Sequence, residues 1–337
     1  MGAGMNKRRV QIVFVSALAA AGTILVSSHA KIDRMTEGDG MLHRAVAWDL
    51  AADNPQIQRL ISGSGPALRY GRIGLPVTVW ILSAGNANAM RYVQPLIMVL
   101  CAVGIALATD FLLPGPSIAI AMTPFLAVGL SVSIIGGFAE PLSIVCALWA
   151  IVLVRRDHPW PAATLFAAAM FARENAAAVL VGVALWEFVR GSRRSALILV
   201  AAGVPVVAWH LVVADRFGSL PLGDPWLVET GALGTPVINI ANALGDVGPG
   251  GVVLIIAHLA LAVVAFRFWR SSLLGAAAAA SALPILSVGA FTWGYLGDAA
   301  RLTAFLEVLV ILALAERWTS RATERQKGPV AGHAVSR

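Results

Sequence analysis

Asp39 stands between two glycines in Thr36-Glu37-Gly38-Asp39-Gly40-Met41-Leu42-His43-Arg44, and a carboxylate so flanked has the backbone freedom to approach a ligand closely. It can act there as a general base or hold a divalent cation such as Mg or Mn. Glu37 and His43 are the polar neighbours that would help bind a substrate. The same residues also suit an N-cap or Asx turn opening a helix over 41–52, and both readings stand on local sequence.

A second group is cationic. Arg69 and Arg72 bracket Tyr70 in Ala67-Leu68-Arg69-Tyr70-Gly71-Arg72-Ile73-Gly74-Leu75-Pro76, and guanidinium forks bind phosphate well. Snorkelling to lipid headgroups is the competing role for these arginines, and it is the preferred one for Arg59 and Arg91. Glu140 in Gly136-Gly137-Phe138-Ala139-Glu140-Pro141, the pair Arg173-Glu174, and Arg301 after Asp298 complete the candidates. Each lies at a break between apolar runs, where an ionisable group is costly and therefore a candidate for function, or for an ion pair that only holds broken helices together. His210 and His258 stand alone near or within apolar runs and read as packed or lipid-interfacial residues, not ligands.

The elements that must position these groups are apolar. Hydrophobic residues make up 58% of the 337-residue chain and charged residues 13%, against about 25% charged in soluble domains; the mean hydropathy is +0.78. Water offers no fold of this size that hides so much apolar surface, so the expected fold class is an all-α integral membrane protein. Apolar runs over 10–28, 90–112, 116–135, 139–154, 161–172, 176–190, 195–213, 249–268, 272–292 and 302–316 predict roughly ten crossings within residues 1–316. The runs at 161–172 and 176–190 are short and meet at Arg173-Glu174-Asn175, as a broken pair does. The first run follows Lys7-Arg8-Arg9 and is expected to stay as an uncleaved helix.

Lys and Arg in the short loops set an orientation. Lys7-Arg8-Arg9, Arg155-Arg156, Arg190 with Arg193-Arg194, Arg267 with Arg270, and the tail at 317–337 fall on one side, which becomes cytoplasmic together with both termini. The opposite side receives a helical first loop at 31–89 and a second long loop at 214–248. The run at 73–84 is too short to span and is placed at the outer interface. The tail after Arg317 is expected to be disordered. Cys101 and Cys146 lie inside apolar runs as small hydrophobes. The chain contains no Walker A loop, no HExxH and no GxSxG, and its basic residues sit between apolar runs, so nucleic acid is not an expected partner.

The ordered series Asp39-Gly40 after the first helix, then Arg69-Tyr70-Gly71-Arg72-Ile73-Gly74-Leu75-Pro76, Phe138-Ala139-Glu140-Pro141-Leu142 and Ala172-Arg173-Glu174-Asn175 resembles the polytopic GT-C glycosyltransferases. The likeness is greatest to their bacterial relatives that form cell-surface glycopolymers, and it covers about residues 10–190. The resemblance implies a GT-C-like bundle in the bacterial plasma membrane that moves a sugar from a polyprenyl-phosphate carrier to an acceptor hydroxyl of a glycan or lipid on the periplasmic side. It also implies that Asp39 is the catalytic carboxylate, with Glu140, Arg173 and Glu174 facing the same cavity and Arg69 and Arg72 in the basic stretch. Leu42-His43 departs from the pattern, where aromatics are usual. The rival expectations are a transporter or flippase of a lipid-linked sugar, and a non-catalytic assembly subunit.

Overall fold

The structure is a computed structural model that describes residues 2–27, 39–63, 65–113, 117–224, 227, 244–287 and 296–326. Among these residues the chain is helical, with no strand. Helix α1 (Gly2–Ser27) leads to four short helices, α2 (Asp39–Trp48), α3 (Pro55–Ser62), α4 (Pro66–Gly71) and α5 (Gly74–Leu82). The bundle continues through α6 (Ala87–Leu112), α7 (Ile118–Met122), a 3₁₀ turn (Thr123–Leu126), α8 (Val128–Gly136), α9 (Glu140–Val154), α10 (Pro159–Ala172) and α11 (Ala176–Val189). It closes with α12 (Arg193–Ala201), α13 (Gly203–Phe217), α14 (Pro249–Phe268), α15 (Leu273–Ser281) and α16 (Leu296–Gln326).

Among the described residues four helices are long and apolar enough to cross a membrane: Lys7–Val26 of α1, α6, the joined α12 and α13 (Arg193–Phe217), and α14. A fifth is reached if Ile118–Leu126 and Val128–Gly136, bent by 79°, form one span. The roughly ten crossings expected from the sequence exceed the four or five that helix length and composition support. The 15 residues of α9 rise only about 22 Å at 1.5 Å each, short of a hydrocarbon core of roughly 30 Å. Helices α10, α11 and the run Leu273–Ile285 are likewise short. Helix α16 is long, but its apolar stretch carries Arg301, Glu307 and Glu316. It also runs on to Gln326, so the expected disordered tail is helical over residues 317–326, and 327–337 lie outside the described residues.

Start signals are local. Asn86 caps α6 by accepting from the Asn88 and Ala89 amides, and Asn54 does the same for α3 ahead of Pro55. One apolar core joins α6, α8–α11 and α14–α16. Close approach depends on small residues: a Cβ on Gly182 of α11 would lie 2.6 Å from the Ala276 carbonyl of α15. The short helices α2–α4 share a second core, Leu42, Val46, Ile61, Tyr70 and Ile73, packed on Val213 of α13. The run at 73–84 is the nine-residue α5, too short to span, as its length predicts.

The bundle has two chemically distinct ends. At one, Arg155 donates to the Leu112 carbonyl (3.0 Å) and pairs with Glu316 of α16 (2.5 Å). Arg9 and Arg156 cover the Phe111 ring there, and Arg317 covers Phe268. The basic clusters that follow or precede apolar runs thus gather at this basic end. The breaks at Glu140 and Arg173 lie at the other.

Candidate functional site

Glu140 opens α9, with Pro141 in the first turn where its missing N–H costs nothing. Arg173 follows the last residue of α10, and a hydrogen bond from Ser143 Oγ to the Ala169 carbonyl (2.7 Å) fixes α9 against that turn. The Glu140 carboxylate is 1% exposed. Its Oε1 lies 2.9 Å from Arg173 Nη2 and 3.2 Å from Arg301 Nε, so one buried carboxylate holds two guanidiniums from α10 and α16. Arg301 also rests 3.7 Å above the Phe138 ring. Asn175 Nδ2 donates to the Leu302 carbonyl (3.4 Å), fastening the break to α16.

Glu174, the next residue, receives Arg72 in a fork, with Nε donating at 2.8 Å and Nη2 to the second oxygen. Arg72 lies within electrostatic reach of Glu140 and Arg173 as well. Helix α5 brings Arg72 here because Gly74 lies against α10: a Cβ on it would be 2.6 Å from the Ala172 amide nitrogen. Arg72, Glu140, Arg173, Glu174 and Arg301 therefore form one network drawn from four separated stretches of sequence. Within it, Glu140 Oε2 and Arg173 Nε are buried and have no hydrogen-bond partner, an arrangement that native interiors rarely keep without a reason.

The other expected residues divide. Glu37 lies outside the described residues, and Asp39 is the first residue of α2, two residues earlier than the helix start expected at 41. The backbone there is joined to the turn ahead of Glu140: Gln94 Nε2 of α6 donates to both the Gly40 carbonyl (3.3 Å) and the Gly137 carbonyl (2.6 Å). The Asp39-Gly40 turn and the Gly137-to-Glu140 turn are thus held by one buried amide. His43 is buried in α2 and Arg69 in α4.

Tyr70 has a bracing role instead of facing a cavity. Its hydroxyl donates to the Asp49 carbonyl (2.7 Å), Gln58 Nε2 donates to it (3.0 Å), and its ring stacks on Phe217. Burial and the neighbouring Asp49 charge push the phenol above its ordinary range. Burial acts to raise Asp49 too, but hydrogen bonds from Gln58, the Asp53 and Asn54 amides and Tyr70 outweigh it and hold the carboxyl below the usual carboxylate value.

Sequence reasoning missed three groups. Gln94 is the lone amide in the run 90–112, a signal that was legible in principle. His210 hydrogen-bonds the Gly71 backbone within electrostatic reach of Glu174. The neighbouring residue, Trp209, lines an apolar groove of about 400 Å³ with Leu50, Ile73, Val77, Phe171 and Val212. The third is buried deeper. His258 Nε2 lies 3.0 Å from Glu307 Oε1 and 2.8 Å from Thr303 Oγ1, while Glu307 Oε2 accepts from the Gly129 amide (2.9 Å) at the start of α8. His258 is a packed residue, as expected, and the acid that fixes it also anchors the bent segment.

Asp110, at the basic end of α6, meets α1: Arg8 Nη2 is 2.5 Å from Oδ1, without an N–H aimed at it, and Arg9 Nε is 3.5 Å from Oδ2. Among the described residues no group of three or more His, Cys, Asp or Glu is placed to hold a metal ion. Glu140 and Glu174 are already engaged by guanidiniums. The described donors therefore do not fit a divalent cation. No protein-family model matches the chain, no curated protein matches its sequence significantly, and no solved structure matches its fold significantly.

Proposed function

We propose that this chain is a GT-C-type glycosyltransferase of the bacterial plasma membrane. It crosses about ten times with both termini cytoplasmic, the short helices crossing where the bilayer adapts to them. It takes a sugar from a polyprenyl-phosphate carrier and passes it to the hydroxyl of a glycan or lipid acceptor at the periplasmic face. The observation that supports this best is the network of Arg72, Glu140, Arg173, Glu174 and Arg301, its centre at Glu140 and Arg173 buried, with Gln94 joining the turn ahead of Glu140 to the Asp39-Gly40 turn. Such a desolvated set of charges is costly, and its organisation about helix breaks points to use.

Each part of the donor has a counterpart. The apolar groove lined by Phe171 and Trp209 suits an isoprenoid tail. Arg72 engages Glu174 through Nε and Nη2, which leaves Nη1 to meet the phosphate. Asp39 takes the proton from the acceptor hydroxyl, and the oxygen attacks the anomeric carbon. The bond from that carbon to the phosphate oxygen breaks, and its electron pair leaves on the phosphate beside the guanidiniums. The step inverts the anomeric centre, and the proton ends on Asp39.

Asp39→Asn is expected to lower transfer from a polyprenyl-phosphate sugar at least about a hundredfold, the contribution of a general base, while the protein still inserts. Full activity in that variant would refute the assignment. Cysteines at Glu37 and Glu229 should react with an impermeant reagent from outside, and a cysteine at Arg193 from inside; the reverse pattern would overturn the orientation. Helix breaks favour a second reading, a flippase that moves the lipid-linked sugar intact. Discontinuous helices are a transporter trait, and here both the 79° bend before α8 and the Arg173-Glu174 break qualify.

A further inference from the structure

A cavity of about 1480 Å³ lies at the basic end, between α9, α11, α14, α15 and α16, and the proposed reaction does not use it. Pockets for drug-sized molecules span about 300–1000 Å³, so this space suits something larger. Gly182, Ala276 and Ala280 line it where α11 packs closely on α15. Its walls are apolar and outward facing: Val181, Leu185, Phe266 and Leu283 are all exposed while lining it. A cleft open on its apolar side and bordered by α14, a helix of membrane-spanning length, meets acyl chains before it meets water.

The rim carries both signs of charge. Arg190 lies 5.1 Å from the Trp186 ring centre on α11, and Arg270 lies 4.6 Å from that of Trp269 after α14. Trp and Arg in this pairing are the side chains of a membrane–water interface. Asp157 and Glu187 stand on the same rim, with Asp157 and Arg190 both in electrostatic reach of the Glu187 carboxylate. Arg155 and Glu316 neutralise each other at 2.5 Å. Arg190, Arg270, Asp157 and Glu187 are the other charges on the rim, with Glu187 also hydrogen-bonded by the Ser192 side chain. An anionic headgroup would satisfy the first pair and be repelled by the second. A quaternary ammonium offers carboxylates no N–H to accept. A primary ammonium joined to a phosphate answers both.

We propose that this cavity binds one phospholipid of phosphatidylethanolamine type, its phosphate on Arg190 and Arg270, its ammonium on Asp157 and Glu187, and its tails along α11 and α15. The proposal rests on the membrane reading but not on the sugar chemistry.

The test is native mass spectrometry of the full chain exposed to equal amounts of phosphatidylethanolamine, phosphatidylcholine and phosphatidylglycerol with identical acyl chains. The ethanolamine lipid is expected to be retained about tenfold over the other two, the value of one charge-assisted hydrogen bond. D157N/E187Q should bring the ethanolamine and choline lipids to parity. R190Q/R270Q should lower retention of all three. Thermal unfolding is the second readout: the ethanolamine lipid should raise the unfolding temperature of the wild type and not of D157N/E187Q. Equal retention of the three headgroups by the wild type, preference for the glycerol lipid, or an ethanolamine preference that survives in D157N/E187Q would each overturn the proposal.

Discussion

The two ends of the bundle use the same side chains in opposite ways. At the basic end, arginines lie over aromatic faces or pair across partly open ground: Arg155 and Glu316 are 27% and 23% exposed. At the other, Arg173, Arg301 and Glu140 are 4%, 7% and 1% exposed and depend on each other. Open pairs are screened, replaceable and suited to setting orientation. Desolvated pairs have no such freedom, because each charge left alone in the interior is severely penalised.

The largest effect is therefore expected at Glu140. Glu140→Ala leaves Arg173 and Arg301 buried without their carboxylate and should cost about 3–5 kcal/mol of stability in detergent unfolding. A loss under 1 kcal/mol would place the network in a wet environment and weaken the contrast between the ends. Gln94→Leu comes next, at about 1–3 kcal/mol, because the Gly40 and Gly137 carbonyls lose their shared donor. Sugar transfer should fall with it; unchanged transfer would uncouple the Asp39 turn from the network.

The Asp49 brace gives a smaller, pH-dependent effect. Its folded carboxyl titrates below the ordinary value, so its contribution is complete above about pH 5 and is lost as pH falls through the folded value. The unfolding temperature should decline as pH falls below about 5 in the wild type and less steeply in Asp49→Asn. Parallel curves would remove Asp49 from the account. Smallest of all, Glu316→Gln should change stability by under about 1 kcal/mol, as open ion pairs do. A larger loss would mean that the basic end is as tightly organised as the other.

Much of this contrast is legible in the chain itself. The break at Arg173-Glu174-Asn175 interrupts an apolar run, and the basic clusters follow or precede such runs, so both can be read from hydropathy. The length of the helices is legible too, since the 16-residue apolar run 139–154 already falls short of the roughly 20 residues of a span, and α9 has 15. The bend before α8, by contrast, is invisible: its anchor, Glu307, comes from 178 residues away. Tyr70 shows the same limit. Its place between two arginines suggests ligand binding, yet its hydroxyl goes to Asp49, and only packing decides between the two. Gln94 and His210 act through backbone carbonyls or backbone contacts brought near by folding, which no spacing rule encodes.

The bond chemistry proposed for the buried charged end has one direct test. Purified wild-type protein in proteoliposomes is given a radiolabelled polyprenyl-phosphate sugar and acceptor, and release of unglycosylated polyprenyl phosphate is followed beside the fate of the label. The account predicts release matched by label on the acceptor, abolished in Asp39→Asn and preserved in Glu316→Gln. Passage of the intact lipid-linked sugar across the bilayer, with no polyprenyl phosphate released, would contradict it.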